Sequence, residues 1–271
     1  MTDRRLPRIF CCLFLASGLQ LIFAEDLVGG THPFSDEPVS PTIPWIQYGN
    51  AFVQEYQIPL ALAKQCVPSE FKVVETRAGS GVTIGSLYIA KYDNRSSVEY
   101  SELIFICATV EYKGQKGKWV SSIYVDNKIA QKAGIEVWGL PKQLATFQWT
   151  QSPSSGVERV VVTDQQAPDI TVLDASFHDR SPIIPSMHQT VRTFSVINQS
   201  TLTSTILLSD TEQKYGVKPL EKKSNVYNVS SQSPLHDYMT ESKESFSVEM
   251  SDGLFNMTAP RKIPSSARKN I

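Results

Sequence analysis

The sequence predicts a mainly β (α+β) single domain with a few short helices. Three observations carry that prediction. Short runs of strand-forming residues recur along the chain, separated by glycine, proline and polar turns. The longest of these, YSELIFICATVEY at 100–112, is apolar on both faces, so both must be covered, as in a closed barrel or the centre of a layered sheet. No stretch has the periodicity of a long amphipathic helix, and no internal repeat is evident.

Residues 1–24 stand apart from the rest. Arg4, Arg5 and Arg8 precede the uncharged apolar run 9–24, and Ala24 precedes Glu25-Asp26, which is the layout of a secretory signal peptide cleaved after Ala24. Ser17, Gly18 and Gln20 make the run short and polar for a transmembrane helix, so no stable membrane span is expected after cleavage, and an uncleaved anchor is the alternative. The expected location is secreted or in the endomembrane lumen. Residues 25–44 form a leader arm rich in Pro, Ser and Gly. The folded domain is expected over 45–260, followed by a basic tail at 261–271.

Within the domain, 51–57 has strand character. PLALAKQC (59–66) suits a short helix with proline in its first turn. FKVVE (71–75) is a short strand. VTIGSLYIAKY (82–92), the 100–112 run and GKWVSSIYVD (117–126) are longer strands, the last two joined by a polar turn through Lys113-Gly114. Asp126-Asn127 is a cap for a short helix, KIAQKA, ended by Gly134. Strands follow at 144–149, 158–164 and 169–177, and again at 189–198 and 245–250. Residues 211–244 are polar and read as an exposed excursion.

The overall charge of −1, near −3 without the leader, excludes a large basic surface for nucleic acid or anionic membrane. Beyond Cys11 and Cys12 the chain has only Cys66 and Cys107, which could pair in an oxidising compartment or serve as two small buried hydrophobes. No zinc spacing, no G-x-S-x-G elbow and no glycine-rich nucleotide loop is present. Four N-x-Ser/Thr sequons, at Asn94, Asn198, Asn228 and Asn256, agree with a secreted glycoprotein. His178 and His188 read as solvated loop histidines.

The most unusual stretch is GIEVWGLPKQLATFQW (134–149). Gly134, Gly139 and Pro141 mark it as a shaped turn, and Lys142 stands there among Trp138, Leu140, Leu144 and Phe147. Such a lysine either lays its stem on apolar surface with the ammonium in water, or buries an amine whose neutral form can attack a carbonyl.

In order, the chain carries Tyr100-Ser101-Glu102, Tyr124-Val125-Asp126-Asn127, Gly134-Ile135-Glu136 and Trp138-Gly139-Leu140-Pro141-Lys142. This ordered set resembles the acetoacetate decarboxylase superfamily from Pro44 to Leu144, and more loosely to Phe246–Met250 and Ala259-Pro260. The resemblance implies a cone-shaped antiparallel β-barrel. It also implies an imine-forming Lys142 with Glu102 as the acidic residue beside it. Tyr100, Trp138, Leu87 and Gln143 would line the substrate site, with Glu136 tying down the turn. No cofactor is implied. The ligand would be a small keto compound or an apolar molecule, and a homo-oligomer is left open.

Three departures from the family pattern redirect the substrate. Gln143 replaces a second lysine. No arginine stands between Arg8 and Arg77 to meet a substrate carboxylate. Leu87 falls where the family has a further pocket glutamate. Two readings follow. One is a lyase forming a Schiff base between Lys142 and a keto substrate, by decarboxylation or by aldolase or dehydratase chemistry on a larger, less polar ketone. The other is a non-catalytic barrel that binds an apolar ligand. A third, in which Lys142 is merely a surface residue of a structural glycoprotein, requires it to be solvated.

Overall fold

The computed structural model describes residues 43–152, 157–177, 184–200, 203–220 and 226–263. The expected signal segment, the expected leader arm up to residue 42, residues 264–271 and His178 lie outside them. The elements run β1 (Trp45–Pro59), α1 (Leu60–Cys66), β2 (Lys72–Val73), β3 (Val82–Tyr92), β4 (Tyr100–Tyr112), β5 (Gln115–Val125), α2 (Lys128–Trp138) and β6 (Lys142–Gln151). They continue with β7 (Glu158–Asp164), β8 (Thr171–Phe177), β9 (Ile184–Ser200), β10 (Thr203–Pro219), β11 (Val226–Asn228), α3 (His236–Glu241), β12 (Lys243–Met257) and β13 (Arg261–Ile263).

Seven strands close on themselves in the order β5-β9-β10-β12-β1-β3-β4, with β4 returning to β5. Closure removes the exposed edges that a sheet this long would otherwise present. The predicted barrel is therefore present. Its pairings are antiparallel except along β5, which pairs parallel with β9 at Lys118–Trp119 and parallel with β6 at Ile123–Val125. β5 thus forks: its first half closes the barrel, and its second half hands the edge to β6. The β6-β7-β8-β11 arm continues from that fork as a second layer.

The alternation in β4 sorts the two faces. Leu103, Phe105 and Cys107 enter an outer core shared with Phe52, Leu87 and Ile89, and with Val160, Val162, Leu173 and Phe177 of the arm. Phe52 stacks on Phe177 with ring centroids 3.7 Å apart. The opposite rows of the same strands, Tyr88, Ala90, Tyr92, Tyr100 and Ile123, face the barrel interior with Trp138, Tyr215 and Phe255. Cys66 and Cys107 are joined by a disulfide that staples α1 to β4 across the outer core.

Four expectations change. The helix after Asn127 does not stop at Gly134; it runs to Trp138, and Gly139 ends it in the left-handed conformation at φ 62°. The 134–149 stretch is accordingly the last turn of a helix, three linking residues and a strand rather than one extended turn, because Gly134 has a packing duty inside the helix. β10 carries the sheet through to Pro219, so part of the presumed polar excursion is barrel wall. Finally, Arg261–Ile263 pairs with β10 instead of trailing into solvent, and His188 is an exposed strand residue of β9 rather than a loop residue.

Candidate active site

A cavity of about 110 Å³ lies inside the barrel, lined by residues of all seven barrel strands and closed by Ala130, Gly134 and Trp138 of α2. Lys142 is the first residue of β6, at the fork of β5, and is 8% exposed. Its Nζ lies 2.8 Å from Oε1 of Glu102, and both side chains are 6% exposed. The amine also donates to the Tyr100 hydroxyl at 3.5 Å and lies 5.0 Å from the centre of the Tyr100 ring. The solvated reading of Lys142 is therefore excluded.

Local sequence accounts for this placement. Asn127 caps α2, its Oδ1 accepting from Ile129 N at 2.8 Å and Ala130 N at 3.2 Å. At the other end, Gly139 N bonds to Ile135 O and Leu140 N to Gly134 O, which turns the chain sharply out of the helix. Pro141 O then accepts from Ile123 N, and β6 starts at Lys142. Gly134 is the hole for the lysine stem: a Cβ there would lie 2.6 Å from Cε of Lys142 and closer still to Cδ. Gln131 donates to the Lys142 carbonyl at 3.3 Å, pinning helix to strand. Asp126 accepts from Ser101 N at 2.7 Å and so braces the strand end that presents Glu102.

A hydrogen-bond chain holds the other side of Glu102. Tyr92 donates to Oε2 at 3.1 Å, and the Tyr88 and Tyr92 hydroxyls are 3.2 Å apart. Burial, reinforced by neighbouring phenols and by Glu102, pushes the Tyr92 hydroxyl well above the ordinary phenol range. Burial also raises Tyr88 and Tyr100, with Glu102 adding to both. All three stay neutral at physiological pH, as donors rather than competing anions. A buried ion pair contributes little net stability compared with apolar residues of the same size, because desolvation offsets the attraction. Structural need alone does not explain Lys142 and Glu102.

The predicted residues separate into two groups. Lys142, Glu102, Tyr100 and Trp138 converge on the cavity. Leu87 and Gln143 are not among its lining residues. Leu87 sits on the opposite face of β3 and is 1% exposed in the outer core; its neighbour Tyr88 takes the cavity-facing place. Gln143 pairs with Tyr124 and, one residue along the strand from Lys142, faces the other way. Glu136 lies within α2, not after it, and does not line the cavity. Of the sequons, Asn94 and Asn228 are exposed, Asn198 is on β9, and Asn256 is half-buried in β12 with its amide oxygen enclosed. No cluster of metal-binding side chains occurs among the described residues.

The comparisons with known proteins fit this geometry. A family model described as acetoacetate decarboxylase matches residues 31–202. The chain belongs to the acetoacetate decarboxylase family. Among solved structures, it is similar to the acetoacetate decarboxylase of Legionella pneumophila subsp. pneumophila str. Philadelphia 1, with a TM-score of 0.66 at 14% identity, covering 92% of this chain and 99% of that one. It is also similar to the enduracididine biosynthesis enzyme MppR complexed with pyruvate, with a TM-score of 0.61 at 13% identity over 87% of this chain and 96% of that one. At such identities these likenesses speak for the fold alone. Protein NEOXANTHIN-DEFICIENT 1 of Oryza sativa subsp. japonica is 30% identical over 109 residues, 40% of this chain and 35% of that protein. The match thus spans about a third of the length of that relative.

Within this family fold, sequence reasoning missed Tyr88, Tyr92 and Gln131. The two tyrosines share the parity of Ala90 in the 82–92 strand, a signal that needed the knowledge of which face looks inward. Nothing in the sequence marked Gln131.

Proposed function

We propose that the chain is a Schiff-base lyase acting on a compact carbonyl compound. The observation that carries this reading is the buried Lys142 amine, held 2.8 Å from Glu102 inside the barrel. Glu102 accepts a proton from the ammonium, and the freed Nζ lone pair adds to the carbonyl carbon. The carbonyl oxygen departs as water after proton transfer, leaving an iminium. The iminium then takes up the electron pair of the adjacent carbon–carbon bond. That bond breaks with loss of carbon dioxide from a β-keto acid. In a β-hydroxy ketone an aldehyde leaves instead, and the hydroxyl proton passes to Glu102. The enamine is protonated at carbon by Glu102, which carries the hydroxyl proton after an aldehyde leaves and takes one from water after carbon dioxide leaves, and water then releases the product and restores Lys142.

The size of the site bears on substrate. A cavity of about 150 Å³ is known to take benzene, so the 110 Å³ here suits a molecule of few heavy atoms rather than the larger ketone expected from sequence. Pyruvate in the similar enzyme MppR is of that size class.

The test is exchange of ketone α-protons in D2O, followed by NMR. Acetone should exchange faster with the protein than in buffer, and Lys142→Ala should lose about a hundredfold or more of that acceleration. Acceleration that survives in Lys142→Ala would defeat the reading. The ion pair itself favours the second reading, a non-catalytic binding barrel. Ketone binding without exchange would favour that one.

We also propose that the chain follows the secretory route and is glycosylated. The Cys66–Cys107 disulfide and the exposed Asn94 and Asn228 support this, together with the pattern of residues 1–24. N-terminal sequencing of the mature protein and a mobility shift on deglycosylation test it; a native start at Met1 and no shift would oppose it.

A further inference from the structure

The wall across the barrel from Glu102 is polar without being charged. β10 is three strands from β4 one way round the ring of seven and four the other, so the two face each other. Its inward row is Ser209, Thr211 and Gln213, all 5–9% exposed and all lining the cavity. Thr193, paired with Ser209 across the β9–β10 ladder, adds a fourth polar group. The Ser209, Thr211 and Thr193 side chains have no hydrogen-bond partner among the described residues, whereas Gln213 accepts from Gln189 at 2.9 Å. Buried hydroxyls normally find partners. Here they are offered to whatever occupies the cavity, and a water they hold would be displaced with loss unless the ligand replaced its hydrogen bonds.

Among the described residues, the only charged side chains lining the cavity are Glu102 and Lys142, and they neutralise each other. A substrate carboxylate would enter without a cation of its own, at the cost of burying an unpaired charge. A neutral oxygen would meet three hydroxyls and an amide. Apolar Ile104, Ile106, Val120 and Val191 lie among the remaining lining residues.

We infer that the substrate is an uncharged carbonyl compound bearing a second, neutral oxygen, a hydroxyl or its equivalent, that is read by Ser209, Thr211 and Gln213 of β10. This rests on the imine reading for the carbonyl end, but the β10 wall acts on binding whether or not an imine forms. Ser209, Thr211 and Gln213 are specificity residues, not members of the reacting pair.

Two measurements on the full chain separate the claims. The first is trapping with cyanoborohydride, which reduces an imine to a stable amine, using 4-hydroxy-2-butanone, 2-butanone and acetoacetate at equal concentration. The second is ligand-observed NMR titration with 1,3-butanediol and 2-butanol, which cannot form imines. The hydroxy ketone should trap about tenfold more than butanone, with acetoacetate lowest. The diol should bind about tenfold tighter than the mono-alcohol. The Ser209→Ala/Thr211→Val double variant keeps strand-compatible residues. It should bring both ratios to within about twofold. If the diol preference appears and is lost in the variant but nothing traps, the polar wall stands and the imine reading falls. Equal affinity for diol and mono-alcohol in the wild type would overturn the inference even if butanone traps at Lys142. Preferential trapping of acetoacetate would overturn it as well.

Discussion

The barrel interior and the outer core are built by the same strands and differ in what they leave unfilled. In β4, Leu103, Phe105 and Cys107 point outward into closely packed apolar neighbours, stapled by a disulfide. Alternate residues, Tyr100, Glu102, Ile104 and Ile106, point inward onto a cavity that holds a buried ion pair and unpartnered hydroxyls. The outer face holds the barrel and its arm together. The inner face keeps polar groups that a core designed only for stability would replace with aliphatic ones. The division of labour therefore runs through single strands, residue by residue, rather than between domains.

Lys142→Ala should break this division most severely. It should abolish carbonyl chemistry, and it leaves Glu102 buried without its cation, at a cost of about 3–5 kcal/mol. Lys142→Met with Glu102→Leu should recover most of that stability and none of the activity, as read by denaturant melts and α-proton exchange. On the other face, Phe177→Ala removes the ring stacked on Phe52 and should cost about 3–5 kcal/mol, with exchange at Lys142 intact in the folded fraction. Loss of exchange there would show that the two faces are not independent. Replacing Cys66 and Cys107 together by Ala should cost about 2–4 kcal/mol in thermal or denaturant melts, again without touching the chemistry.

A subtler variant is Gly134→Ala. Glycine to alanine within a helix normally gains about 1 kcal/mol. Here the added methyl meets the lysine stem, so stability should change little while exchange falls sharply. The smallest effect is one of pH. Burial raises the Glu55 carboxyl above its ordinary 4.5, opposed by Lys118. A raised carboxyl disfavours the fold once ionised: the penalty is absent below about 4.5 and full above its folded value. Glu55→Gln should therefore raise the melting temperature at pH 7 and not at pH 4, and an equal gain at both would contradict the assignment.

Much of this was legible in the sequence, for physical reasons that differ by region. The 82–92 and 100–112 strands matched to the residue, because glycine-rich and polar turns bound strongly β-forming runs. The two apolar faces of strand 100–112 made it legible as covered on both sides, and the family resemblance chose a barrel over a layered sheet. Lys142 and Glu102 were legible through the ordered motifs, whose parts have separate duties: Asp126 braces Ser101, Asn127 caps α2, and Gly134 makes room for the lysine. The misreadings share one cause. Which face of a strand looks inward is a tertiary fact, so Leu87 was taken for a site residue where Tyr88 is one. Gln143 was likewise credited with Lys142's direction. β10 was misread because its inward row, Ser209, Thr211 and Gln213, is as polar as its outward row, Asp210, Glu212 and Lys214, which removes the alternation that announces a half-buried strand.

The central claim is that one buried amine, and not the other lysines, meets the substrate. The most direct measurement is reductive trapping followed by peptide mapping, with Lys118 as internal comparison. Burial lowers that amine below the ordinary lysine range and Glu55 partly restores it, but Lys118 does not line the cavity. The account predicts a single adduct on the peptide carrying Lys142, absent from Lys142→Ala and reduced in Gly134→Ala. An adduct on Lys118, or one spread over several lysines and unchanged in Lys142→Ala, would contradict it.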